Sequence, residues 1–127
     1  MKFLLDTHTF IWFVTDNPKL SQKSIALIED LNNEIFVSIA TFWEIAIKMS
    51  IGKLELKMKF SKLIEELKEN EMTLLEIEFP HLVQLISLPF YHRDPFDRLL
   101  IAQSMVEKMA LVSYDSTLEN YPIQRLW

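Results

Sequence analysis

The chemistry open to this chain rests on its carboxylates. There is no cysteine, which excludes disulfides, thiolate zinc sites and cysteine nucleophiles. The three histidines, His8, His81 and His92, are too few and too scattered for a histidine-rich metal site. Four acids stand where they could act together. Asp6 follows the apolar run Phe3-Leu4-Leu5, Glu44 lies within Trp43-Glu44-Ile45, Asp97 within Pro95-Phe96-Asp97-Arg98, and Asp115 follows Leu111-Val112-Ser113-Tyr114. Several carboxylates without histidine or cysteine suit a hard cation, Mg²⁺ or Mn²⁺. Such ions orient phosphate oxygens and activate water for in-line attack on phosphorus.

Each acid also has a purely structural reading. Asp97 comes three residues after Asp94 and would complement a helix N-terminus. Glu44 precedes Lys48 by four residues, the favourable order for a helical ion pair. Asp115 stands ahead of Ser116-Thr117, a turn-forming sequence. Asp6 is the hardest to explain this way, because apolar residues flank it and leave a charge poorly solvated. The two kinds of role are compatible, since one carboxylate can cap a helix and hold a metal.

The elements that must position these residues alternate in type. Strand patterns fall at Lys2–Leu5, Glu34–Ser38, Met72–Ile77 and Ala110–Tyr114, with an edge strand at Ile123–Leu126. Between them the spacing predicts helices at His8–Thr15, after Ser21 (apolar face Ile25, Ile28, Leu31), and at Ile39–Ile51, with Ile39, Trp43, Ala46, Ile47 and Ser50 along one stripe. Gly52 stands where a C-terminal cap belongs. Further helices are expected from Ser61 to Glu69, from Pro80 to Ser87, and from the cap Asp94-Pro95 to Met109, with a last turn at Ser116–Asn120. This alternation predicts an α/β domain with a mainly parallel sheet. Ligands of such sheets bind outside the carboxyl ends of the strands, where Asp6 and Asp115 fall.

The chain has 127 residues, half of them apolar and 24% charged, which describes one packed domain over 1–127 and excludes a disordered chain. No apolar run is long enough to span a bilayer or form a signal-peptide core, so the cytoplasm is the expected compartment and no membrane partner is expected.

The stretches Leu4-Leu5-Asp6-Thr7-His8, Trp43-Glu44-Ile45, Arg93-Asp94-Pro95-Phe96-Asp97-Arg98-Leu99-Leu100-Ile101-Ala102 and Leu111-Val112-Ser113-Tyr114-Asp115 resemble the PIN-domain family. Within it they look most like the VapC-type ribonuclease toxins of type II toxin–antitoxin pairs. The likeness runs from Met1 to the tail Pro122-Ile123-Gln124-Arg125-Leu126-Trp127. It implies a three-layer fold, a mainly parallel sheet of about five strands flanked by helices, and a Mg²⁺- or Mn²⁺-dependent endoribonuclease. By motif Asp6, Glu44, Asp97 and Asp115 are then the catalytic and metal-holding acids, with Asp6 and Asp97 the direct ligands. Thr7 and Ser113 would hold the cluster by hydroxyl hydrogen bonds, and Asp94 would cap the Asp97 helix and pair with Arg98. An RNA substrate, a cognate antitoxin and a homodimer are implied as partners. Leu118 departs from the phenylalanine that many relatives carry.

A net charge of −5 is unusual for a nucleic-acid binder, yet the acid cluster supplies much of it and a bound cation would offset it locally. The rest is uneven. Lys48, Lys53, Lys57, Lys59 and Lys62 face one acid, Glu55, within a single stretch, while Glu65 to Glu78 holds six glutamates and Lys68. The basic stretch, Lys48, Lys53, Lys57 and Lys59 above all, suits an RNA backbone or an ordinary solvated surface. The aromatic content of 12% leaves side chains to spare for a partner. Three other readings remain: a metal-free nuclease using His8 and His92 as base and acid, a non-catalytic binding or assembly module on the same fold, and an RNA-processing nuclease that is not a toxin. A haloacid-dehalogenase-type phosphatase wants Asp-x-Asp where this chain has Asp6-Thr7-His8. A ribonuclease H-like domain opens with hairpins rather than strand then helix.

Overall fold

Phe3, Leu4 and Leu5 are all buried, so the strand they form needs cover on both faces and a neighbour on both edges. The computed structural model, which describes residues 1–127, supplies all four. Five strands, β1 (Lys2–Leu5), β2 (Glu34–Ser38), β3 (Thr73–Leu75), β4 (Ala110–Val112) and β5 (Arg125–Leu126), form one sheet of order β3-β2-β1-β4-β5. Every pairing is parallel. Six helices flank it: α1 (Thr7–Val14), α2 (Gln22–Glu29), α3 (Ile39–Ser50), α4 (Leu63–Glu69), α5 (Phe79–Ile86) and α6 (Pro95–Glu107). The three-layer α/β architecture is the expected one.

Period-two alternation along the strands divides the core. Phe3, Leu5, Ile35, Val37, Ala110 and Val112 point to one face, against Phe10 of α1, Ile28 of α2, Phe42 and Ile45 of α3, and Leu63 and Leu67 of α4. Leu4 and Leu111 point to the other, against Leu99, Leu100 and Ile101 of α6 and Leu118 of a short 3-10 turn at Ser116–Asn120. No helix is long and apolar enough to cross a membrane.

Local signals set the helix ends. Ser21, Ser38 and Asp94 each accept a hydrogen bond from a backbone N–H of the following first turn, satisfying donors that a helix start leaves open. Gly52 follows α3 at φ 72°, a left-handed conformation that a side chain would strain. Two expectations differ from the structure. α2 ends at Glu29, so Leu31 lies beyond it and is exposed rather than on its buried face. The stripe Ile39, Trp43 and Ile47 faces outward, while Ala40, Phe42, Glu44 and Ile45 are buried. α3 turns the polar Thr41 and Glu44 inward, against Thr7, so its apolar stripe does not mark its inner face. Its entry from β2 without a loop, with Ser38 capping Ala40 N–H at 3.0 Å, fixes the rotation instead.

Candidate active site

The strand order reverses beside β1: β2 and β3 lie to one side, β4 and β5 to the other. Chain leaving β1 turns one way and chain leaving β4 the other, which opens a crevice at their carboxyl ends. A pocket of 180 Å³ occupies it, lined by Asp6, His8, Asp97, Ser113 and Asp115 above a floor of Leu100, Leu111 and Leu118.

Asp6 is the N-cap of α1, with Oδ1 accepting from Thr9 N–H at 2.8 Å. Next to it, the buried Thr7 hydroxyl donates to Glu44 Oε1 at 2.7 Å. Lys48 Nζ donates to the other oxygen, Glu44 Oε2, at 2.7 Å. Glu44 is 4% exposed, a burial a carboxylate tolerates only when both oxygens are served. Lys48 is therefore committed to Glu44, whereas Lys53, Lys57 and Lys59 are exposed on the connection after α3.

Asp115 is held from another side. Ser113 Oγ is buried and accepts from Asp115 N–H at 3.1 Å. The Asp115 carboxylate takes Thr117 N–H on Oδ1 at 3.0 Å and the His92 ring on Oδ2 at 2.8 Å. Burial would raise its pKa, but the Thr117 and His92 hydrogen bonds and the His92 charge hold it below the ordinary carboxylate value.

Asp97 has no such help. Asp94 Oδ1 caps the helix by accepting from Phe96 and Asp97 N–H at 2.8 and 3.1 Å; the half-buried Asp97 carboxylate itself receives no hydrogen bond from the protein. Burial, then the charges of Asp94, Glu44 and Asp6, push its pKa up to about 7 against the opposing pull of His92. A half-buried carboxylate facing three others with no donor is an acceptor awaiting a positive charge. The donor set, all carboxylate oxygen, fits a hard divalent cation. No three acids or histidines converge in a ligating arrangement; Glu44 is bonded to Lys48 and Asp115 to His92.

Arg98 corrects one expectation. It does not pair with Asp94; its guanidinium reaches the carbonyls of Pro89 at 2.9 Å, Leu88 at 3.3 Å, and Leu85 and His92 at 3.4 Å, and lies over the Phe90 ring at 3.9 Å. It thus ties down the segment that carries His92. Sequence reasoning set His8 and His92 apart, yet His8 lines the pocket and His92 bonds Asp115. His92 is further fixed by Tyr121, whose hydroxyl oxygen accepts from His92 N–H at 2.9 Å. The contact spans 29 residues, and nothing local in the sequence announces it.

With this fold and acidic crevice the chain belongs to the PIN domain family, whose pattern matches residues 3–124. Among solved structures it is similar to VapBC2 from Rickettsia felis, crystallised with a DNA fragment from their promoter, at TM-score 0.74 and 13% identity over 99% of this chain and 98% of that chain. FitAcB from Neisseria gonorrhoeae gives TM-score 0.66 and 16% identity, covering 98% of this chain and 96% of that one. VapBC-1 from nontypeable Haemophilus influenzae gives 0.63 and 16%, covering 99% and 97%. At such identities the likeness is one of fold. No protein of curated function matches the chain by sequence.

Proposed function

We propose that the chain is a metal-dependent endoribonuclease that acts in the cytoplasm as the toxin of a toxin–antitoxin pair. The observation that carries this reading is Asp97, a carboxylate raised to about 7 by burial and by neighbouring acids, without a donor, at the crevice where an open parallel sheet binds its ligand. Family membership supports nuclease chemistry, and the toxin–antitoxin complexes among its structural neighbours support the biological role and a cognate antitoxin. Exposed apolar side chains at Phe79, Leu82, Val83 and Ile86 along α5 support a protein partner, a second copy of the chain included.

Asp6 and Asp97 would hold Mg²⁺ or Mn²⁺, with Glu44 and Asp115 completing the set directly or through water. When bound, the cation would orient a phosphodiester oxygen and make a water more acidic. Thr7 and Lys48 hold Glu44 in place, and His92 and Thr117 hold Asp115 in place and keep its pKa below the ordinary carboxylate value. Attack by water at phosphorus with departure of the ribose 3′-oxygen leaves a 5′-phosphate and a 3′-hydroxyl.

RNA cleavage by wild type and Asp97→Asn, in Mn²⁺ and in excess EDTA, tests the reading. Cleavage by wild type with metal alone is the expected outcome, with a loss of at least about a hundredfold in the variant. The placement of His8 on the pocket and His92 on Asp115 favours one second reading, a metal-free attack by the ribose 2′-hydroxyl. Cleavage that persists in EDTA and leaves a cyclic phosphate would establish it in place of the first.

A further inference from the structure

Trp12, Tyr114 and Trp127 form a three-ring cluster that the chemistry above leaves unused. Ring centroids are 5.8 Å apart for Trp12 and Trp127, 5.6 Å for Tyr114 and Trp127, and 6.4 Å for Trp12 and Tyr114, all edge to face. The rings come from α1, from the residue before Asp115 and from the residue after β5. They meet only because β1, β4 and β5 are adjacent and all run to the same edge. Rings of this size usually close an interior, yet Tyr114 is 68% exposed and Trp12 and Trp127 are half-buried.

The cluster lies between two concavities. On one side His8, which lines the acid pocket, stands 5.7 Å from the Trp12 ring. On the other, Trp12 forms a wall of a 560 Å³ groove with Leu54, Leu56, Lys57 and Met58. The acid pocket and the groove thus meet at Trp12, through His8 on one side and directly on the other, with Tyr114 and Trp127 packed against that ring. The charged side chains of the groove are Asp16, Glu55 and Lys57, which sum to −1, so attraction of phosphates does not account for it. Lys19 Nζ stands 5.8 Å from the Trp12 ring centroid.

We propose that this surface is a stacking platform for the unpaired bases of a single-stranded RNA whose scissile phosphate lies in the acid pocket. The inference rests on the nuclease reading of that pocket and adds the residues that select the strand. A strand entering the pocket must lay its flanking nucleotides on the adjoining surface, and here that surface is aromatic and apolar. Stacking on such rings is open to every base, because each has a π face, and closed to a duplex, whose bases already stack on one another. The platform therefore selects unpaired RNA with little regard to sequence, and its contribution varies weakly with salt, unlike binding through phosphates.

The test is binding of a short mixed-sequence single-stranded RNA, by fluorescence anisotropy in Mg²⁺, to the full chain carrying Asp97→Asn to prevent cleavage. The same chain with Tyr114→Ala, and with Tyr114→Phe, is measured beside it. Tyr114 is exposed, so neither change disturbs the core, and circular dichroism checks this. Tyr114→Ala raises Kd roughly tenfold or more, Tyr114→Phe leaves it unchanged, and a duplex of the same length binds far more weakly. Equal Kd for Tyr114→Ala and its parent, equal loss in both Tyr114 variants, or no binding by the parent would each overturn the platform and turn the rings over to a protein contact. Cleavage by wild type in Mn²⁺ separates this from the nuclease reading. Cleavage with no dependence of Kd on Tyr114 removes the platform alone; Tyr114-dependent binding without cleavage removes the nuclease alone.

Discussion

Asp97 carries a conflict that makes its behaviour measurable. Burial and three acidic neighbours hold its proton more tightly in the folded chain than in the unfolded one, raising the pKa from 3.8 to about 7. Stability without divalent cation is thus greatest below the unfolded value and falls as pH rises through 7, because the folded state must then ionise an unfavourably placed group. Between about pH 4 and about pH 8 the Tm of wild type should fall further than that of Asp97→Asn, which has no proton to lose there. Thermal denaturation at stepped pH reads the difference, and parallel curves would refute it. Mn²⁺ should restore the lost stability in wild type, since an ion that binds only the folded state raises Tm by mass action. Asp97→Asn should respond far less.

At the scale of elements, the site depends on one arginine. Arg98 is 7% exposed, and its four carbonyl contacts bind Leu85, Leu88, Pro89 and His92 to the first turn of α6. Only a planar fork with several donors serves so many acceptors, and lysine cannot. Arg98→Lys should cost about 2 kcal/mol in urea unfolding and release His92 from Asp115. A shifted histidine resonance would report that release, and an unchanged one would show that Asp115, Thr117 and Tyr121 hold the ring without Arg98. The connection after α3 is the other element at issue. Its Lys53, Lys57 and Lys59 are exposed while Leu54, Leu56 and Met58 are half-buried, so the charges project outward. Replacing the three lysines with glutamine should flatten the salt dependence of RNA affinity if they meet phosphates, by about 0.7 units of log–log slope for each lysine that meets a single strand.

At the scale of the molecule, the unpartnered apolar surface sets the expectation. Phe79, Leu82, Val83 and Ile86 repeat at helical spacing and are 41% to 86% exposed, although α5 packs on α6 through its other side, where the buried His81 reaches Glu107 at 2.8 Å. A stripe of this kind suits a self-complementary two-fold contact. Light scattering should give twice the chain mass of 15.1 kDa, and Val83→Glu should return it to one. A monomer at every concentration would refute the dimer and leave the stripe to the antitoxin.

The residues that hold the fold and the acids were legible in the sequence because each signal is local. Apolar strands separated by capped helices can only build a covered parallel sheet, and carboxylates at strand ends fall on its carboxyl edge by construction. Asp94-Pro95 announces the start of α6, and the Glu44–Lys48 spacing announces their ion pair. Which face of α3 turns inward was not legible, because Thr41 and Glu44, which a reading by period turns to water, are buried against Thr7 while Trp43 faces out. Nor was the partner of Asp115: His92 lies 23 residues away and arrives through Arg98 and Tyr121. The ring cluster is of the same kind, three aromatic residues brought together only when β1, β4 and β5 lie side by side. Local backbone preference and side-chain period are written along the chain; contacts between distant segments exist only once the sheet has set their order.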